Sequence, residues 1–112
     1  MNQQQAYKLT EEEFQRMVIE VAHAYKWVVA HFRKARTLRG WVTPVQADGK
    51  GWPDLVLVKQ SRIIFAELKS EKGKLTPEQQ VWIDLLSNVG DKDVQVYIWR
   101  PSQWEQLVEI LK

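Results

Sequence analysis

Glu67 and Lys69 stand two residues apart in the run Ile63-Ile64-Phe65-Ala66-Glu67-Leu68-Lys69. On an extended strand that spacing sends both side chains to the same face. Asp54 lies thirteen residues earlier, at the head of the apolar run Leu55-Val56-Leu57-Val58. If the two runs pair as a hairpin around Lys59 to Arg62, Asp54 falls level with Glu67 to Lys69. Two carboxylates and a lysine then meet at one end of a small sheet. Paired hard oxygen donors suit Mg²⁺ or Mn²⁺. A lysine beside them can orient or deprotonate a water, or neutralise charge that develops on a phosphate. A plain Glu67–Lys69 surface salt bridge is the competing reading. It is weakened because these charges close a stretch, Ile63 to Ala66, that otherwise reads as buried, where charge is costly.

The elements around these residues follow from local signals. Thr10-Glu11-Glu12-Glu13 forms a capping box, and Phe14, Val18, Val21 and Tyr25 recur at helical spacing, predicting a helix to about Lys26. Trp27 to Phe32 is β-branched and aromatic and predicts a first strand. Arg33 to Gly51 is a long connection, broken at Gly40, Pro44 and Gly49, and its length suggests a binding element. The hairpin follows. Thr76-Pro77-Glu78-Gln79 then opens a second helix through Val81, Trp82, Leu85 and Leu86 to near Gly90. Val94 to Trp99 is a further strand, and Ser102 to Glu105 start a last helix. The predicted order is α-β-β-β-α-β-α, a mixed sheet flanked by helices.

Composition bounds what such a chain can be. It has 112 residues, 45% hydrophobic and 27% charged, which supports one domain with a core, residues 1 to 9 being expected to be flexible. A domain of this size buries about two-thirds of its unfolded surface, so a site would be an open groove. The absence of cysteine excludes disulfides and thiolate metal sites. No apolar run approaches the roughly 20 residues that cross a bilayer, and the Gln-rich start is no secretory signal, so a soluble cytoplasmic protein without membrane contact is expected. The net charge of +2 is unremarkable, but its distribution is uneven. Lys26 to Lys50 holds six basic residues and one acid, a local +5, which leaves −3 on the remainder. One surface for a polyanion and another for cations would produce that asymmetry, and so would a solvated basic loop.

Gly51-Trp52-Pro53-Asp54-Leu55 followed by Glu67-Leu68-Lys69 resembles the signature of the PD-(D/E)xK nucleases. Gly73-Lys74-Leu75-Thr76-Pro77-Glu78-Gln79, with Trp82 and Gly90 after it, is similar to the VRR-NUC branch. Glu11-x-x-Phe14-Gln15 and Trp99-Arg100-Pro101 match the same branch. The resemblance spans Thr10 to Trp104 and implies a restriction-endonuclease-like α/β fold and a metal-dependent phosphodiesterase acting on DNA. It implies Asp54 and Glu67 as metal ligands with the Leu68 carbonyl as a third, and Lys69 as the group that activates or orients water. Gln79 would border the centre, and Glu11 would be the helical acid that completes the metal shell. Lys26 departs from the pattern, since relatives tend to carry Gly there. The residues alone leave Glu11, Glu13 and Glu20 open as the helical acid, although Glu11 shares the inward stripe with Phe14 and Val18.

Other residues are weaker candidates. Arg33, Lys34, Arg36 and Arg39 are candidates for DNA backbone contacts. His23 reads as a surface residue, and His31 ends a strand near the proposed centre, where it could touch phosphate. Trp27, Trp82 and Trp99 read as core; Trp41 and Trp52 could pack or stack on an unpaired base. The stand-alone form that phages and bacteria carry implies a homodimer cutting branched DNA, such as four-way (Holliday) junctions, without an organic cofactor. Trp41 and Trp104 are the expected interface. Flap- or nick-directed cleavage and a catalytically silent DNA-binding module are the alternatives.

Overall fold

The computed structural model describes residues 1–32 and 46–112 in full and the backbone of 35–37 and 40–42. Of the proposed DNA contacts, Arg33, Lys34 and Arg39 lie outside the described residues, as does the side chain of Arg36. Helix α1 (Gln3–Lys8) precedes α2 (Glu11–Ala24), and β1 (Val28–His31) follows. Strands β2 (Ala35–Thr37) and β3 (Gly40–Val42) lead to β4 (Leu55–Lys59) and β5 (Arg62–Leu68). Helix α3 (Pro77–Ser87), β6 (Val94–Trp99), a 3-10 turn (Pro101–Gln103) and α4 (Trp104–Leu111) complete the chain.

The main sheet has the order β1-β4-β5-β6. β1–β4 and β4–β5 are antiparallel, whereas β5–β6 is parallel, its crossover made through α3. The sheet is therefore mixed and flanked by helices, as expected. Two additions stand outside the predicted order. The segment before Thr10, expected to be flexible, carries α1, because Asn2 and Gln5 form a capping box and Ala6 is buried. The long connection contains the antiparallel β2–β3 pair as a separate two-stranded sheet.

Alternation along the strands builds the core. Leu55 and Leu57 of β4 and Ile64, Ala66 and Leu68 of β5 are fully buried and pack with Phe14, Val18 and Ala22 of α2 and Leu107 and Leu111 of α4. Trp27 and Trp99 belong to this core, and Trp27 Nε1 donates to the Leu111 carbonyl at 2.8 Å. Helix α3 is rotated relative to a simple apolar stripe. Gln79 and Ile83 are buried, whereas Val81, Leu85 and Val89 stay more than half exposed. Trp82, expected in the core, is half-buried, and its Nε1 donates to the carbonyls of Asp48 and Lys50 at 3.1 Å.

Helix α2 ends at Tyr25 with Lys26 at φ 73°, in the left-handed region. Lys26 N donates to the His23 carbonyl and Trp27 N to the Ala22 carbonyl, the paired bonds of a Schellman ending. Glycine meets that conformation without the Cβ strain a lysine incurs. Lys26→Gly should therefore raise stability by up to about 1 kcal/mol, read from the urea midpoint.

Candidate active site

Among the described residues, the buried charged or polar side chains are Asp54, Glu67, Lys69 and Gln79. All four lie at the same end of the sheet. Leu55 pairs with Ala66, so Asp54 and Glu67, one residue beyond each, meet across the hairpin. Asp54 Oδ2 accepts the Leu68 amide at 2.9 Å, which locks the carboxylate to the strand that carries Glu67. On the other side of Asp54, its carbonyl accepts the Phe32 amide at 2.9 Å, tying the end of β1 to the same point.

Helix α2 supplies the third acid. Carboxylate oxygens of Glu11, Asp54 and Glu67 lie within 4.8 Å of one another. Of the alternatives, Glu13 is engaged in the capping box, its Oε1 accepting from Thr10 Oγ1 at 2.9 Å, and Glu20 is exposed. One turn beyond Glu11, Gln15 Oε1 accepts from His31 Nε2 at 3.1 Å.

Gln79 does two jobs with one amide. At the third position of α3, its Oε1 accepts the Thr76 amide at 2.9 Å, completing the capping box. Its Nε2 donates to Glu67 Oε1 at 3.2 Å. The cap that starts the helix thus also orients the buried acid. Glu67 Oε2 is buried with no hydrogen-bond donor among the described residues. Burial pushes the Glu67 carboxyl from its ordinary value near 4.5 up to about 9. Asp54, as proton acceptor and as negative charge, pushes the same way, as does the charge of Glu11, while the Lys69 ammonium pulls it down. Three clustered hard-oxygen donors, one with a buried oxygen lacking a donor, fit a divalent cation.

The loop before Asp54 is fitted closely to α3. Gly51 has φ 86°, and a Cβ there would stand 2.5 Å from the Glu78 carbonyl carbon and 2.7 Å from Gln79 N. Trp52 contacts Phe32, Phe65 and Trp82 edge-on, with ring centroids 6.1, 5.7 and 4.9 Å apart, so it packs between the sheet and α3. Trp41 has no described side chain. Gly51→Ala should cost roughly 2–5 kcal/mol, from overpacking plus an unfavourable φ. Denaturant unfolding checks the loss.

A mixed sheet with an acidic cluster at the end of an antiparallel hairpin, and a helix packed behind it, is consistent with a PD-(D/E)xK-like fold. The VRR-NUC domain family matches residues 2–103, and the chain belongs to that family. Membership makes it a nuclease, with DNA as substrate. No curated protein matches the chain.

Proposed function

We propose that the chain is a Mg²⁺- or Mn²⁺-dependent endonuclease that cuts branched DNA, such as four-way junctions, as a homodimer. The observation that carries the metal-dependent reading is the convergence of Glu11, Asp54 and Glu67 beside buried Lys69 in a VRR-NUC domain. Glu11, Asp54, Glu67 and the Leu68 carbonyl would hold the cation. The ion, when bound, supplies Lewis-acid polarisation of the scissile phosphate and lowers the pKa of a water. Lys69 orients or deprotonates the attacking water, or offsets charge on the phosphate. Gln79 keeps Glu67 turned toward the centre through its 3.2 Å hydrogen bond. Arg33, Lys34, Arg36 and Arg39 are proposed to bind backbone phosphates independently of sequence.

Two copies related by a two-fold axis match the symmetry of a four-way junction. Exposed Val81 and Leu85 on α3, with Val89 just beyond its end, support association. Trp104, also proposed for the interface, packs against the core with one side and is half-buried.

Lys69→Ala should keep metal affinity and lose about 10²–10⁴-fold in rate. Wild-type rate in that variant would remove Lys69 from the reaction. The full reading is tested on linear, nicked, flap and four-way substrates with and without EDTA, alongside light scattering. Symmetric nicking of the junction, abolished by EDTA, and a mass near twice 13.2 kDa are expected. A monomer that cuts linear and branched duplex equally would overturn both dimer and junction preference. Preferential cutting of flaps or nicks would replace junctions with those substrates, and binding without cleavage would identify a silent module.

A further inference from the structure

Arg100 follows the last residue of β6 and reaches into the turn that leaves Lys69. Its Nη1 donates to the carbonyls of Ser70 at 2.7 Å and Gly73 at 2.6 Å, with the Glu71 carbonyl at 3.3 Å. Three carbonyls of one four-residue turn thus converge on a single guanidinium nitrogen. The turn is closed on itself as well, since Gly73 N donates to both the carbonyl and Oγ of Ser70 at 3.1 Å. Gly73 stands against the lysine stem: a Cβ built there would lie 3.4 Å from Lys69 Cδ. The Lys69 amide donates to the Trp99 carbonyl at 3.0 Å. Lys69 is therefore held on its backbone by the residue before Arg100, and bounded along its stem by the turn that Arg100 clamps.

We propose that Arg100 is a positioning residue for the nuclease reaction, fixing the Lys69 side chain beside Asp54 and Glu67 through the 70–73 turn. This rests on the nuclease reading above. Arg100 touches neither the acidic cluster nor, on this account, the substrate; it acts by holding a neighbour in place. A lysine at 100 has the charge but not the planar fork, so it replaces the clamp only in part.

The test compares Arg100→Ala, Arg100→Lys, Lys69→Ala and the Lys69→Ala/Arg100→Ala double variant. Rates are measured with and without low-millimolar guanidinium, Mn²⁺ affinity by electron paramagnetic resonance, and folded fraction by circular dichroism. Displacing a reacting group by about 1 Å can cost around 10²-fold, so Arg100→Ala should lose about that in kcat. Its Mn²⁺ affinity should stay within about twofold, since the clamp acts on Lys69 and not on the acids. Arg100→Lys should fall between. The double variant should be no slower than Lys69→Ala alone, because the clamp acts only through Lys69. Guanidinium should restore rate to Arg100→Ala but not to the double variant. Wild-type kcat in Arg100→Ala, or losses that multiply in the double variant, would overturn the proposal. So would a loss that tracks Mn²⁺ affinity or folded fraction, or guanidinium rescue that persists without Lys69. A wild-type chain that cuts no DNA would overturn the nuclease reading first, and this one with it.

Discussion

Alanine in place of Glu67, or asparagine in place of Asp54, should lower DNA cleavage by about 10³-fold or more, because the cation proposed to bind there would supply several kcal/mol of charge stabilisation. The two acids differ in what else they do. Asp54 Oδ2 accepts the buried Leu68 amide, so Asp54→Ala would strand that donor at a cost of about 1–3 kcal/mol. Asp54→Asn keeps an acceptor there and removes only the charge. Among the described residues Glu67 makes no comparable backbone bond; its Oε1 accepts from Gln79 and its Oε2 meets no donor. Glu67→Ala should therefore show that loss of activity without loss of the fold. Single-turnover cleavage and thermal unfolding of both variants check this, and more than about a tenth of wild-type rate in either would contradict the assigned ligand roles.

The second large effect is a pH dependence that metal should reverse. Glu67 has its folded pKa raised to about 9 from an ordinary value near 4.5, with burial the leading cause. Between those two values the folded state holds a proton that the unfolded state has released. Stability of the metal-free protein is thus fullest below about pH 4.5 and falls as pH climbs toward 9, by a few kcal/mol for this group. Cation binding displaces that proton, so apparent metal affinity should rise with pH, and saturating Mg²⁺ should flatten or invert the slope. Glu67→Gln removes the titration and should level the metal-free profile. Urea unfolding at pH 5, 7 and 9, with EDTA and with Mg²⁺, measures each limb. A metal-free protein that gains stability across that range, with wild type and Glu67→Gln alike, would contradict it.

Much of this was legible because local and long-range signals agree at the same residues. Thr10 and Thr76 announced their helices through capping boxes that the structure forms, with Thr10 Oγ1 and Thr76 Oγ1 each accepting the amide three residues on. The turn between Lys59 and Arg62 set the hairpin register, and the register brought Asp54 level with Glu67. The inward stripe of α2 favoured Glu11 over Glu13 and Glu20 without deciding between them, and Glu11 is the acid that joins the cluster.

What escaped the sequence depends on tertiary contacts. The first nine residues lack an apolar repeat, yet the Asn2–Gln5 capping box starts α1, and buried Ala6 docks it, with Lys72 Nζ 4.0 Å above the Tyr7 ring. The face of α3 could not be read from hydrophobicity, since its orientation follows a polar residue. Gln79 reaches Glu67, and Val81 and Leu85 are turned outward. Trp82 looked like core and is half-buried because its indole N–H is used to hold the 48–50 loop. The role of Gly51 is invisible without the helix backbone that its missing Cβ would strike. Arg100 stood out only as part of a motif, because the carbonyls it gathers come from a turn about thirty residues away in sequence.

Glu11, Asp54 and Glu67 are proposed to hold a divalent cation together. Titration of Mn²⁺ into the wild-type chain and into Asp54→Asn and Glu67→Ala, followed by isothermal calorimetry at fixed pH, tests it most directly. Saturable binding in the wild type, accompanied by proton release and weakened at least tenfold in both variants, is expected. Binding of equal strength in all three proteins, or none in the wild type, would contradict it.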